Sequence, residues 1–224
     1  MIKYSIREAK EGMKKFEKLS RAKYDKKAPK YDRTIDGHYC ARFKRKLVET
    51  ISVSDGEKVL DVGCGNGTLI GWISQKAKIQ AFGVDISAKM IDECRVRHPH
   101  IDFNVSLADS LPFGDNEFDV ITMCCVLHHL DEPQKFFPEV KRVLKPGGRL
   151  IISDPWYPPP FKQFAEYVVF PIHNAGDNKL FTRTQFKNFF TENGFSVLNT
   201  YYRGDVQTII GLAPSAPGMY SERP

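Results

Sequence analysis

Apolar positions follow two rhythms along this chain. Three-to-four spacing predicts helices, and short apolar runs bounded by turn residues predict buried strands. Ile6, Ala9, Met13, Phe16 and Leu19 share one face of a helix expected over residues 1–23. A broken stretch follows through Tyr24-Asp25, Ala28-Pro29 and Tyr31-Asp32. A second helix is expected from Tyr39 to Ile51, with Phe43, Leu47, Val48 and Ile51 inward. Val59-Leu60-Asp61-Val62 reads as a strand that breaks into Gly63-Cys64-Gly65-Asn66-Gly67, and apolar spacing resumes in a helix to about Ala77. Strands at 79–85, 101–105, 118–125 and 149–154 alternate with helices from Ser87 to Arg97 and from Pro133 to Leu144, and Lys145-Pro146-Gly147-Gly148 reads as a turn. Such alternation implies a parallel sheet with right-handed crossovers.

Residues 155–180 interrupt the rhythm with Pro155, Pro158, Pro159 and Pro160 and the aromatics Trp156, Tyr157, Phe161, Phe164, Tyr167 and Phe170. This reads as an insertion at the carboxyl edge of the sheet, an apolar lid over a ligand. Thr182 to Gln185 has the capping-box pattern, and its helix, carrying Phe186, Phe189 and Phe190, ends at Gly194. Phe195–Tyr202 and Val206–Leu212 are two closing strands, antiparallel to each other. The organisation is therefore a helical extension over 1–52, an α/β domain over 53–212 with the insertion at 155–180, and a loose tail over 213–224.

Charge sharpens this division. The chain of 224 residues carries a net +6, yet residues 1–46 hold 16 Lys/Arg against 6 Asp/Glu, a net of +10. The basic character belongs to the extension, which can be a solvated face or can meet an anionic partner such as nucleic acid. No apolar run spans a bilayer and the N-terminus lacks a signal-peptide core, so a cytoplasmic protein is expected. The five cysteines form no C-x-x-C pair, which argues against a disulfide framework or a zinc site; no metal is expected.

A glycine turn closing the first strand of a doubly wound sheet is where such folds bind nucleotide-like ligands. The spacing Gly63-x-Gly65-x-Gly67 is tighter than the dinucleotide pattern G-x-G-x-x-G and suits a small zwitterion lying across the glycines. Asp61 is placed to accept from an ammonium group, Asp85 from both ribose hydroxyls, and Asp109 from an adenine amino group. His128-His129 closes the fourth strand; neutral imidazole accepts protons near pH 7, making His128 the first and His129 the second candidate for a general base. A cation site combining the pair with Asp131 is disfavoured, because adjacent side chains on a turn seldom converge. Cys124-Cys125 suggests soft-metal chemistry, but Cys40, Cys64 and Cys94 do not visibly supply the further thiols needed.

The ordered set Asp61-Val62-Gly63-Cys64-Gly65-Asn66-Gly67, Asp85-Ile86-Ser87, Ala108-Asp109-Ser110-Leu111-Pro112-Phe113, Phe118-Asp119-Val120 with His128-His129, and Leu144-Lys145-Pro146-Gly147-Gly148 resembles the class I S-adenosylmethionine-dependent methyltransferases. It is most similar to the small-molecule branch that includes the ubiquinone and menaquinone biosynthesis methyltransferases, whose N-terminal Tyr-Asp matches Tyr31-Asp32. Quinone members often carry Arg-Asn where this chain has His128-His129. The resemblance implies a Rossmann-like, doubly wound, seven-stranded sheet with the last strand antiparallel, and S-adenosyl-L-methionine as cofactor. Tyr31, the glycine turn, Ile86, Met90, Ala108, Ser110, Cys124 and Cys125 would join Asp61, Asp85 and Asp109 around it. The implied activity is methyl transfer to a small, apolar or aromatic acceptor. An RNA methyltransferase using the basic arm, and a cofactor-binding module without catalysis, stand as alternatives.

Overall fold

The computed structural model describes residues 14–173 and 176–215. The N-terminal half of the helix expected over 1–23 and most of the tail expected over 213–224 lie outside these residues. In chain order the described elements are α1 (Lys15–Lys27), a 3₁₀ turn (Ala28–Arg33), α2 (Ile35–Thr50), β1 (Lys58–Val62), α3 (Thr68–Ile73), β2 (Gln80–Asp85), α4 (Ala88–Arg97), β3 (Asp102–Val105), β4 (Phe118–Cys124), a 3₁₀ turn (Leu127–His129), α5 (Pro133–Val143), β5 (Leu144–Pro155), α6 (Phe161–Phe164), a π-helical turn (Ala165–Val169), α7 (Phe170–His173), α8 (Arg183–Glu192), β6 (Ser196–Arg203) and β7 (Val206–Leu212).

The strands form one seven-stranded sheet in the order β3-β2-β1-β4-β5-β7-β6. β1 pairs in parallel with β2 and β4, β4 with β5, and β2 with β3, while β7 runs antiparallel to both β5 and β6. Strand order reverses between β1 and β4, so a crevice opens at their carboxyl ends. Alternation of side chains feeds two cores. Leu60, Ile121, Leu150 and Ile152 face Phe136, Phe137, Phe186 and Phe190 of α5 and α8. Val59, Val120 and Ile151 face Phe43, Leu47, Ile70 and Ile91 of α2, α3 and α4.

Some boundaries differ from the sequence reading. α1 continues through Tyr24 to Lys27, and α2 begins at Ile35, where the Thr34 hydroxyl accepts the Gly37 N–H at 3.1 Å. α3 stops at Ile73 rather than near Ala77. Past its end, Lys76 turns back and donates to the carbonyls of Val48 and Ile51 at 2.6 and 2.7 Å, which closes the end of α2 instead of extending α3. Lys145–Gly148 is absorbed into β5 as an irregularity in its pairing with β4.

Candidate active site

The glycine turn is built from backbone angles that favour glycine. Gly63, Gly65 and Gly67 have φ of 71°, 54° and 78°. A Cβ on Gly63 would stand 2.3 Å from Val126 Cγ2, whereas one on Gly65 would meet nothing within 4 Å. The chain at Gly65 thus offers bare backbone to an open space. Asp85, at the end of β2, is held against this turn: one carboxylate oxygen accepts the Gly65 N–H and the other the Ser87 N–H, each at 2.8 Å. Burial pushes Asp85 up to about 6, with the two N–H donors opposing. Asp61 lies beneath the turn, accepts the Thr122 hydroxyl at 2.8 Å, and is raised by burial to about 7.

Above the turn lies an open cavity, with about 820 Å³ of space when its solvent-facing mouth is included. From the α/β domain it is lined by Gly63, Cys64, Gly65, Asp85, Ile86, Met90, Ala108, Cys124, Cys125 and His129, and the extension contributes Tyr31. Other expected residues stand outside the lining. Asp61 faces Thr122. Asn66 donates to Asp32 at 2.7 Å and accepts from the Thr68 hydroxyl. Gly67 faces Cys94, His98 and Phe103. Asp109 and Ser110 follow Ala108 around a turn in which the Ser106 hydroxyl donates to the Ser110 carbonyl at 2.6 Å.

The extension supplies four lining residues that sequence reasoning missed: Glu17, Ser20, Tyr24 and Lys44. Lys44 is 7% exposed, sits over the Tyr31 ring at 5.3 Å, and has no carboxylate at ion-pair distance among the described residues. Asp61 and Asp85 feel its charge through space, yet the ammonium group makes no carboxylate contact and borders the open cavity. The extension is also tied to the loops it covers. Asp25 accepts from the Ser87 hydroxyl at 2.6 Å, and Asp32 bridges Asn66 and Arg97.

The two histidines occupy different environments. His128 is outside the cavity lining. Its Nδ1 donates to Asp154 at 3.0 Å and its Nε2 faces Asp177 at 3.4 Å. Burial disfavours the imidazolium, but Asp154 and Asp177 outweigh it and push His128 up to about 10. With both ring nitrogens facing carboxylates, His128 has no lone pair for a substrate, which corrects its ranking as first candidate base. His129 lines the cavity. Its Nδ1 donates to the Gly176 carbonyl at 3.0 Å, so the lone pair is on Nε2, which faces the Tyr24 hydroxyl at 3.3 Å. Burial, together with charged His128, pushes His129 down to about 4.

The adjacent histidines do converge, with ring centroids 4.1 Å apart, but on Asp177 rather than Asp131. Asp131 instead accepts the N–H groups of Phe16 and Glu17 and caps α1. Donor atoms of His128, His129 and Asp177 lie within 4.8 Å of one another, near enough for a cation only if His128 gives up its proton.

Two further expectations are corrected. The aromatics after β5 do not line the cavity: Trp156 is covered by the Arg183 guanidinium at 4.0 Å, Tyr157 shares a hydrogen bond with Tyr39 at 2.8 Å, and Phe161, Phe164 and Tyr167 are exposed. Cys40 is not remote from the Cys124-Cys125 pair: a hydrogen bond with the free Cys125 thiol, opposed by burial, draws the Cys40 thiol down to about 7.

The strand order, the glycine turn and the acid at the end of β2 are those of one fold family. Residues 60–152 match the family model described as a methyltransferase domain. Over those residues the chain is a methyltransferase domain of the class I S-adenosylmethionine-dependent kind. Within that family it is 36% identical over 154 residues to a demethylmenaquinone methyltransferase of Renibacterium salmoninarum, covering 66% of this chain and 65% of the relative. It is 38% identical over 134 residues to that of Paenarthrobacter aurescens, covering 58% and 53%. The chain thus spans less than two thirds of either relative's length. Among solved structures, a methyltransferase of Haloferax volcanii in complex with the Trm112 activator superposes with a TM-score of 0.75 at 19% identity, covering 85% of this chain and 97% of that one.

Proposed function

We propose that the protein transfers a methyl group from S-adenosylmethionine to a small-molecule acceptor. The observation that carries this reading is the cavity. Its lining includes Asp85 bonded to the Gly65 backbone, Lys44 with no carboxylate at ion-pair distance among the described residues, and the Tyr24–His129 pair. These residues fit the cofactor's chemistry. Asp85 would accept from the ribose hydroxyls, Lys44 would meet the amino-acid carboxylate, and Leu107, Ala108 and Met90 offer apolar surface for the adenine. Asp61 acts from below the turn, and Asn66 and Gly67 hold its shape.

The cofactor supplies a methyl group on a sulfonium, an excellent leaving group, so the protein's task is alignment and exclusion of water. The acceptor side is roofed by Glu17, Ser20 and Tyr24 of α1 and by Leu130, leaving a space of mixed, mostly apolar character. An acceptor bearing a proton on its nucleophilic atom gives it to the Tyr24 oxygen while the Tyr24 proton moves to His129 Nε2. The Gly176 carbonyl fixes the His129 tautomer that makes this relay possible. His128, paired with two carboxylates, orients the turn.

Labelled S-adenosylmethionine incubated with the protein and fractionated cell extract tests the reading. Label entering a small, organic-extractable molecule is expected; label entering RNA, or nothing, overturns it. His129→Gln should lower turnover by about 10²-fold or more with cofactor affinity unchanged, and the reverse pattern would make His129 a binding residue.

A further inference from the structure

The helical stretch from Phe161 to His173 is turned inside out. Phe161, Phe164, Tyr167 and Ile172 are 64%, 59%, 78% and 81% exposed, with Val168 and Val169 at 40% and 41%. The charged residues face the protein instead. Lys162 and Glu166 form an ion pair at 2.6 Å with side chains 13% and 14% exposed, and Glu166 also accepts the Leu180 N–H at 2.8 Å. A surface helix ordinarily shows the opposite polarity. A contiguous apolar patch of this kind marks an interaction surface, whereas scattered exposed apolar residues need no explanation.

The element that the chain meets next supplies charge. Gly176, three residues beyond the stretch, packs on α1, its carbonyl accepting from the Ser20 hydroxyl at 3.5 Å. α1 and the turn after it expose Lys15, Lys18, Lys26 and Lys30, none of which makes an ion pair among the described residues. A symmetric contact with a second copy through the apolar stretch would give these lysines no anionic partner. An anionic bilayer accommodates both features: aromatic and aliphatic side chains enter the acyl boundary while lysines meet lipid phosphates.

We propose that the 161–173 stretch and the lysine row of α1 form a peripheral docking surface for an anionic lipid bilayer. No described helix is long and apolar enough to cross a membrane, so the contact lies in the interface plane. The same α1 roofs the acceptor side of the cavity, so an apolar acceptor passes between bilayer and site at this edge; that consequence rests on the methyl-transfer reading, while docking itself does not.

Co-sedimentation with vesicles of phosphatidylglycerol and phosphatidylcholine, against phosphatidylcholine alone, tests the surface at about 0.1 M salt and again at several-fold higher salt. Binding to the anionic vesicles, weakened by salt, is expected. The variant F161S/F164S/Y167S/I172S should bind at least about tenfold more weakly, with its circular dichroism and cofactor affinity retained. If that variant fails to fold, Tyr167→Ser alone, at the patch centre, should still weaken binding measurably, and K15E/K18E should remove most of the preference for anionic vesicles. Absence of binding by the unmodified chain, or equal binding by the apolar and charge variants, overturns the proposal. So does a dimer, seen by light scattering without vesicle binding, that the apolar variant dissociates. Because sedimentation needs no turnover, its failure and a failure of methyl transfer are separately visible.

Discussion

Replacing Asp85 by Asn separates two effects that the wild-type carboxylate combines. Without ligand, the carboxylate is held at 2.8 Å from the N–H groups of Gly65 and Ser87, yet burial raises it from 3.8 to about 6. The folded chain therefore holds a proton that the unfolded chain has lost between about pH 4 and 6. Stability should fall as pH rises through that window, by about 3 kcal/mol at most and less because the side chain opens onto the cavity. On the proposed role of Asp85, cofactor binding has the opposite sign, since two ribose hydroxyls would need the charged acceptor: affinity should rise with pH and level off above about 6. Asn keeps one acceptor and presents an amide to the other donor, so charge-assisted bonds are lost. The expected loss of affinity is about 1–3 kcal/mol, or roughly 5- to 150-fold in Kd. Calorimetry with S-adenosylhomocysteine between pH 5 and 8 reads this directly. The wild type should lose close to tenfold per pH unit below the transition, and D85N should lose most of that slope. An unchanged Kd in D85N, or an affinity for the wild type that is flat across this range, refutes the role of Asp85.

Lys44→Met should weaken S-adenosylhomocysteine binding by about 1–2 kcal/mol while sparing 5′-methylthioadenosine, which lacks the carboxylate; competition calorimetry distinguishes the two ligands, and equal losses would make Lys44 a packing residue. His128→Gln should act on stability rather than turnover, because it leaves Asp154 and Asp177 facing each other without their shared cation. Breaking such a buried network costs about 3–5 kcal/mol, read as a lowered midpoint in urea.

How much of this was legible in the sequence depends on the reach of each interaction. The strand, the glycine turn and Asp85 announce themselves because turn chemistry is local: three positive-φ positions within five residues leave few alternatives. The parallel sheet followed from the alternation of elements, whereas the strand order rests on pairings between distant segments and did not. The roles of His128 and His129 could not be separated, since the residues that distinguish them, Asp154, Gly176, Asp177 and Tyr24, lie far along the chain. Lys44 and Tyr24 were hidden for a related reason. Helical spacing assigns a face but not what the face meets, and a lysine beside Phe43 reads as solvated until the Tyr31 ring and the cavity are seen next to it. The aromatic insertion misled in the other direction. Its composition suggested burial over a ligand, whereas Lys162 and Glu166 take the inward positions and turn the rings out.

The bonds from Asp25 to Ser87 and from Asp32 to Asn66 have a kinetic consequence. They tie α1 and the turn after it to the two loops proposed to hold the donor. On that reading, seating the donor should stiffen those loops and, through these carboxylates, the wall proposed to face the acceptor. Substrates should therefore add in a compulsory sequence, donor before acceptor, and S-adenosylhomocysteine should inhibit competitively against S-adenosylmethionine but not against the acceptor.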